Sequence, residues 1–403
     1  MRCFHLLCQL AYHHEVHAII FQKEEELRKN TEGYKVPDNV KIYSPIDNLP
    51  PPSLFNKLPQ RIGPGLHFRW LRRNWRGPAE ETLLRCHHLV DRILAKINVD
   101  VTVFEELGSM SAAPLVQRLQ PSSYRIVNMY NVNHKLRAQE IKLSKNSGVD
   151  LYRQKKSLKN TEWLEQNLNK FVHSFFACSD EDRKYLESLN EIKGFKIPNG
   201  VDTQYFSFDA NTEKFKSPYV LYTGWMGTKA NQDGLSYLLE DIWPKLVKTL
   251  PSLKLLIVGG GMPPQLATKF DKVTNIEIVG NVPDVRPYSR KASVSLVPLR
   301  IGSGTRLKIL ESMSQGVPVV STAKGAEGIE TENGKHILIA ETPTDFAQSI
   351  KRLLSDNLLY NQIRLSARKM VEEKYAWDII GQNMNKAIHE LLETQELPNT
   401  DIR

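Results

Sequence analysis

The segment PLRIGSGTRLKILESMSQGVPVVST, residues 298–322, concentrates groups suited to holding an anion. It reads as a strand end, a Gly302-Ser303-Gly304-Thr305 loop, a helix from Thr305 to Gln315, a glycine stop and a second strand over 317–322. Gly302 and Gly304 let the backbone approach a ligand closely, and the first N–H groups of the helix point at the same place. A helix N-terminus after a glycine loop suits a phosphate or diphosphate. Arg306 and Lys308 add positive charge, and Glu311 lies two turns along, near the reach of sugar hydroxyls. On the glycines alone, a tight strand-to-helix turn with surface charges is the plainer account.

Other clusters offer less. His13, His14, Glu15 and His17 lack the H-E-x-x-H spacing and run into a strand, where alternate residues face opposite ways. Asp180-Glu181-Asp182 resembles a D-x-D metal site, yet Ser179 before it makes a good helix N-cap with acids in the first turn. No metal is expected at either place. Glu105-Glu106 ends a strand, where α/β ligands gather, and is equally readable as a pair of surface acids. His134 follows another strand end and is a further ligand-side candidate beside Glu105.

The elements that must position these residues alternate. In the second half, YVLYT (219–223), LKLLIVGGG (253–261), IEIVGNV (276–282), SVSLVPL (293–299) and VPVVST (317–322) are short β-branched strands. Leu235, Leu238, Leu239, Ile242 and Trp243 fall at helical spacing between the first two. Such alternation means parallel βαβ units in a doubly wound α/β domain. The first half has EVHAIIF (15–21), VDVTVF (99–104), YRIVNMY (124–130) and FFACS (175–179), and IPNGVDTQYF (197–206) joins the halves. Trp377, Ile380, Met384, Ile388 and Leu391 give a closing amphipathic helix over 377–393. A doubly wound domain normally opens on a strand, whereas Phe4, Leu7 and Ala11 already stand at helical spacing; the expectation is a first domain without its opening strand, through a late start of the chain.

Length and charge fit two domains. The chain has 403 residues, 41% of them hydrophobic and 25% charged, enough for two cores without disulfide or metal staples. Cys3, Cys8, Cys86 and Cys178 show no zinc or C-x-x-C spacing, and no apolar run approaches a membrane span, so a cytoplasmic protein is expected. Residues 1–200 carry 30 Lys and Arg against 22 Asp and Glu; residues 201–403 carry 24 against 23. The net +9 therefore sits almost wholly in the first half. Residues 53–78 hold Lys57, Arg61, Arg69, Arg72, Arg73 and Arg76 with no acid, interleaved with Leu66, Phe68, Trp70, Leu71 and Trp75, and residues 135–159 hold eight cations against Glu140 and Asp150. That pattern suits an anionic bilayer or a lipid-linked ligand, and equally a solvated loop with a few buried aromatics. A nucleic-acid partner is not expected, because no recognised motif supports one.

Taken together, IPNGVD (197–202), VGGGMP (258–263) and GSGTRLKILESMSQGVPVVST (302–322) resemble the GT-B retaining glycosyltransferases of family four, the glycosyl transferases group 1 type. Within that family the chain is similar to the polysaccharide-associated sugar transferases that carry GSGTRLKILE. The resemblance covers nearly the whole chain and is most specific over 197–325. It implies two Rossmann-like doubly wound domains facing across a cleft: residues 1–200 on the acceptor side, residues 201–376 binding the donor, and residues 377–403 returning towards the first domain.

The family pattern has two glutamates eight positions apart. The second matches Glu311, implied to hold the donor ribose; the first is Ser303 here, a departure. An Arg and a Lys often follow the first strand of the donor domain, where this chain has GWMGTKAN (224–231), with Trp225 at the Arg position and Lys229 an approximate match. Diphosphate neutralisation then falls mainly to Arg306, with Lys229 and Lys308 as further candidates. Arg306, Glu311 and Lys229 are the implied catalytic group. Gly224, Gly280, Val282, Gly302, Ser303, Gly304, Thr305 and Lys308 complete the donor site, the turn Gly280-Asn281-Val282 resembling the segment whose backbone reads the base. The implied chemistry is transfer with retention from a nucleotide-diphospho-sugar, as substrate rather than cofactor, to a glycan or lipid-linked acceptor in polysaccharide biosynthesis, at the inner face of the membrane and without a metal. The alternative is a catalytically inactive nucleotide-sugar or glycan-binding homologue, motivated by Ser303 and the missing strand.

Overall fold

The computed structural model describes residues 2–20, 36–44, 80–143, 147–208, 218–270, 273, 275–302 and 304–394. The basic stretch 53–78 and Ser303 lie outside the described residues. The chain divides into two compact units: Met1–His134 with Asn146–Ile197 and Gly381–Arg403, and Lys135–Lys145 with Pro198–Ile380. Residues 135–145, left in the first domain by the sequence reading, thus group with the second unit. The closing helix, Trp377–Glu393, leads the chain back into the first.

In the second unit, six parallel strands form one sheet: β7 (Tyr219–Thr223), β8 (Lys254–Val258), β9 (Ile276–Gly280), β10 (Val294–Val297), β11 (Val319–Ser321) and β12 (Leu338–Ile339). Their spatial order β9-β8-β7-β10-β11-β12 is the 3-2-1-4-5-6 order of a doubly wound sheet. β10 and β11 are buried throughout, as expected of strands covered on both faces, and β7 and β8 are buried except at their ends. Leu235, Leu238, Leu239, Ile242 and Trp243 pack in the core on a continuous helical run, with a π turn over Leu238–Ile242 just before Pro244. The strand order reverses between β7 and β10, so the crevice outside their carboxyl ends is where a ligand belongs.

In the first unit, β1 (Val16–Ile19) pairs in parallel with β2 (Val40–Tyr43). A separate parallel sheet has the order β3 (Val101–Glu105), β4 (Tyr124–Met129), β5 (Ser174–Ala177), β6 (Gly194–Lys196). Ile19 of β1 packs on the same core as Phe104 and Val127, so the two sheets share one interior. In the doubly wound order an opening strand would lie between them, and among the described residues none does. The helix Arg2–Ala11 precedes β1 instead, in keeping with the periodicity of Phe4, Leu7 and Ala11.

Candidate functional site

At the β10 end, the helix begins at Leu307 rather than Thr305, because Arg306 is its N-cap with extended backbone (ψ 95°). Gly302 (φ 117°) and Gly304 (φ 75°) take backbone conformations that side-chain-bearing residues avoid, which bends the chain from strand to helix. The helix ends as its glycine stop requires: Gly316 (φ 71°) donates to Met313 O and Val317 donates to Ser312 O.

Arg306 folds back on this loop, donating from Nη1 to Gly304 O at 2.7 Å, with Nη2 beside Gly302. Burial lowers its pKa from the usual guanidinium value, against the opposing charge of Glu327. Lys308 Nζ donates to Thr223 O at the end of β7 and to Asn231 Oδ1 at 3.1 Å, and lies 4.9 Å from the Tyr222 ring. Burial pushes this ammonium down to about 7, Arg306 adds to the fall and Glu311 opposes it. One turn on, burial pushes the Glu311 carboxyl up to about 7 against the pull of Lys308. Among the described residues no group hydrogen-bonds the Glu311 carboxylate. Thr305 Oγ1 is likewise buried with no hydrogen-bond partner among them. Two cations whose charge burial disfavours, an acid that no described residue hydrogen-bonds and an orphaned hydroxyl therefore meet at one helix start. A bound dianion would recharge Lys308, so its arrival takes up a proton near neutral pH.

The β7 end adds the facing wall. Gly224 (φ 151°) donates to Val258 O, and a Cβ on Gly259 (φ 140°) would collide with the Gly224 carbonyl. Lys229 is exposed as the first residue of the helix Lys229–Tyr237, which Thr228 caps by accepting from Asn231 N. Ala230 in that first turn lies 3.4 Å from where a Gly302 Cβ would be, so this helix start abuts the glycine loop. Gly280 (φ 77°) accepts from Gly259 N with open space on its Cβ side, and Val282 is half-buried against the sheet. The structure thus brings Gly224, Gly302, Gly304, Thr305, Arg306, Lys308 and Glu311 together around the β7–β10 crevice, with Lys229 at its rim and Gly280 and Val282 at the β9 end. Asn231, which the sequence reading gave no role, ties Lys308 to this wall and also donates to Trp225 O. Its place in the GWMGTKAN stretch was the available signal.

The first-unit candidates are arranged differently. Glu105 accepts from Asn128 Nδ2 at 3.0 Å and from the Tyr130 hydroxyl at 2.7 Å. Glu106, held at φ 63°, accepts from Tyr130 N and from Asn133 Nδ2, and burial raises its pKa. His134 is buried, with Nδ1 on Glu165 and Nε2 on the Tyr185 hydroxyl at 3.0 Å. Ser179 caps the helix Asp180–Leu189 by accepting from Asp182 N, which accounts for the D-E-D run. His14 bonds Asn385, and His17 bonds Tyr43 and Glu15; among the described residues no group of three or more His, Cys, Asp or Glu is placed to hold a metal. No helix among them is long and apolar enough to cross a membrane.

Residues 217–356, which contain this crevice, match the family model described as glycosyl transferases group 1. Phosphatidyl-myo-inositol mannosyltransferase of Mycobacterium tuberculosis is 26% identical over 220 residues, 52% of this chain and 57% of its own length. The capsular polysaccharide biosynthesis glycosyltransferase CapM of Staphylococcus aureus is 24% identical over 223 residues, 52% of this chain and 58% of its own. The chain thus spans a little over half the length of these curated relatives. Over whole structures, sucrose-phosphate synthase from Thermosynechococcus elongatus superposes with TM-score 0.69 at 17% identity, covering 97% of this chain and 92% of that one. Anabaena HepE in complex with UDP and glucose gives 0.63 at 12%, covering 96% and 95%. The fold of the chain is GT-B, with two Rossmann-like units.

Proposed function

We propose that this chain is a retaining glycosyltransferase moving a sugar from a nucleotide-diphospho-sugar to a glycan or lipid-linked acceptor in polysaccharide or glycolipid biosynthesis. The observation that carries this reading is the group gathered at the start of the helix Leu307–Ser314: Arg306 and Lys308, whose charged forms burial disfavours, for the diphosphate, and Glu311, which no described residue hydrogen-bonds, for the ribose hydroxyls. The acceptor hydroxyl attacks the anomeric carbon from the face the diphosphate leaves. The new C–O bond forms as the bond to phosphate breaks, and the acceptor proton passes to the departing phosphate oxygen. The protein supplies charge where charge develops, through Arg306, Lys308, Lys229 and the helix amides, and this route needs no nucleophilic side chain and no metal.

The acceptor side is more basic. On the helix Gly148–Glu165, exposed Arg153, Lys155, Lys156 and Lys159 accompany exposed Val149 and Tyr152, which supports contact with an anionic bilayer at the cytoplasmic face. Failure to co-sediment with anionic liposomes would remove the lipid-linked half of the reading.

A thermal-shift panel of UDP, GDP, ADP, TDP and their sugars tests the donor half. One nucleotide series is expected to stabilise the protein, and Arg306→Ala and Glu311→Ala to abolish that shift. A shift left intact in both variants would place the donor elsewhere. Proton NMR of the product then reads the anomeric configuration, and inversion would overturn retention.

A further inference from the structure

Trp225 is the unexpected side chain at this crevice. It is 60% exposed, although tryptophan normally places most of its surface in a core. Its position is nonetheless fixed. The Trp225 carbonyl accepts from Asn231 Nδ2 at 2.8 Å, and the next residue, fully buried Met226, donates its N–H to Gly260 O at 2.8 Å. The indole rests on three glycines. A Cβ on Gly260 would lie 2.8 Å from it, one on Gly261 3.0 Å, and one on Gly227 would collide with its Nε1. Residues with side chains could not bed the ring this closely.

The direction matters as much as the exposure. The sheet order puts β10 and its glycine loop on one side of β7, and β8 and β9 on the other. Gly260 and Gly261 follow β8, and Asn281, whose Cβ and Oδ1 lie 3.2 Å from a Cβ on Gly260, follows β9. The indole therefore lies away from Arg306 and Lys308, towards the turn Gly280-Asn281-Val282. An anion held at the β7–β10 crevice leaves this side for an uncharged, planar part of the same ligand.

We infer that Trp225 is the platform on which the donor's nucleobase stacks, bedded on Gly227, Gly260 and Gly261 and flanked by Asn281. The assignment rests on the nucleotide-sugar reading above. In this chain an aromatic face occupies the position where the family resemblance leads one to expect an arginine, so the diphosphate charge is met from the β10 side and base contact from the β7–β8 side. Stacking tolerates any base, so specificity among bases falls to the edge contacts offered by Asn281 and the neighbouring backbone.

Calorimetric dissociation constants for the stabilising nucleoside diphosphate and for its sugar, with wild type, Trp225→Phe and Trp225→Ala, decide the matter. Trp225→Ala is expected to weaken both ligands equally, by about tenfold or more, and Trp225→Phe to restore most of the loss. Trp225 is exposed, so thermal melting of both ligand-free variants should match wild type, which separates lost stacking from lost fold. Unchanged affinity in Trp225→Ala would overturn this assignment alone. A loss confined to the nucleotide-sugar would move the stacking partner to the sugar ring and also overturn it. No binding of any nucleoside diphosphate by wild type would overturn the nucleotide-sugar reading and the platform with it.

Discussion

The two units are built alike and finish differently at their strand ends. In the first, the polar groups beyond β3 and β4 satisfy one another: Glu105 with Asn128 and Tyr130, Glu106 with Tyr130 N and Asn133, Glu165 with His134 and two backbone amides. In the second, beyond β7 and β10, Arg306 and Lys308 donate to Gly304 O, Thr223 O and Asn231, but Glu311 and the Thr305 hydroxyl are unbonded among the described residues and Trp225 faces solvent. A closed network rigidifies a fold, whereas an open one spends stability to stay ready for a ligand. Both sets follow strand carboxyl ends, so position alone does not separate binding residues from structural ones. Under the proposed reading, the Glu311 carboxylate and Thr305 hydroxyl, unbonded among the described residues, belong to the binding set.

Breaking the closed network should have the largest effect on stability. Glu165 is fully buried and accepts from Asn133 N at 2.6 Å, from His134 N at 3.1 Å and from the His134 ring. Glu165→Ala strands those donors and is expected to cost about 3–5 kcal/mol in urea unfolding. Nucleotide affinity of the folded variant should stay at the wild-type value; a large loss of affinity would make this network part of the donor site.

The open set should respond in the opposite sense and more weakly. The folded chain holds the Glu311 proton up to about 7 against an ordinary carboxyl value of 4.5. Between those values the folded state binds more protons than the unfolded one, so stability falls as pH rises through this window. Glu311→Gln removes that loss. It should melt like wild type near pH 4 and be more stable at pH 8 by about 1–2 kcal/mol, while binding nucleotide less well. A variant less stable than wild type at pH 8 would mean that the carboxylate is already paired.

What was legible in the sequence follows the same division. Strands buried on both faces announce themselves as runs such as YVLYT and VSLV, and the face Trp377, Ile380, Met384, Ile388, Leu391 is buried as its spacing requires. β2, β6 and β12 escaped notice because Lys41 interrupts the first, Gly194 and Lys196 flank a single aromatic in the second, and the third has two residues. The helix starts two residues later than the sequence suggests, since Thr305 is the residue able to cap with its side chain, whereas Arg306 takes the N-cap position through its extended backbone alone. The glycine loop, Arg306, Lys308 and Glu311 were legible because they lie within ten residues of one another. The pairing of His134 with Glu165, 31 residues apart, and the exposure of Trp225 depend on tertiary packing that no local pattern encodes.

Hydrogen–deuterium exchange with and without the saturating nucleoside diphosphate compares the two strand-end networks in one experiment. The account predicts new protection over 224–231 and 300–312, with 105–106 and 130–134 unchanged. Protection confined to the first-unit segments, with the glycine loop and the start of its helix exchanging as before, would contradict it.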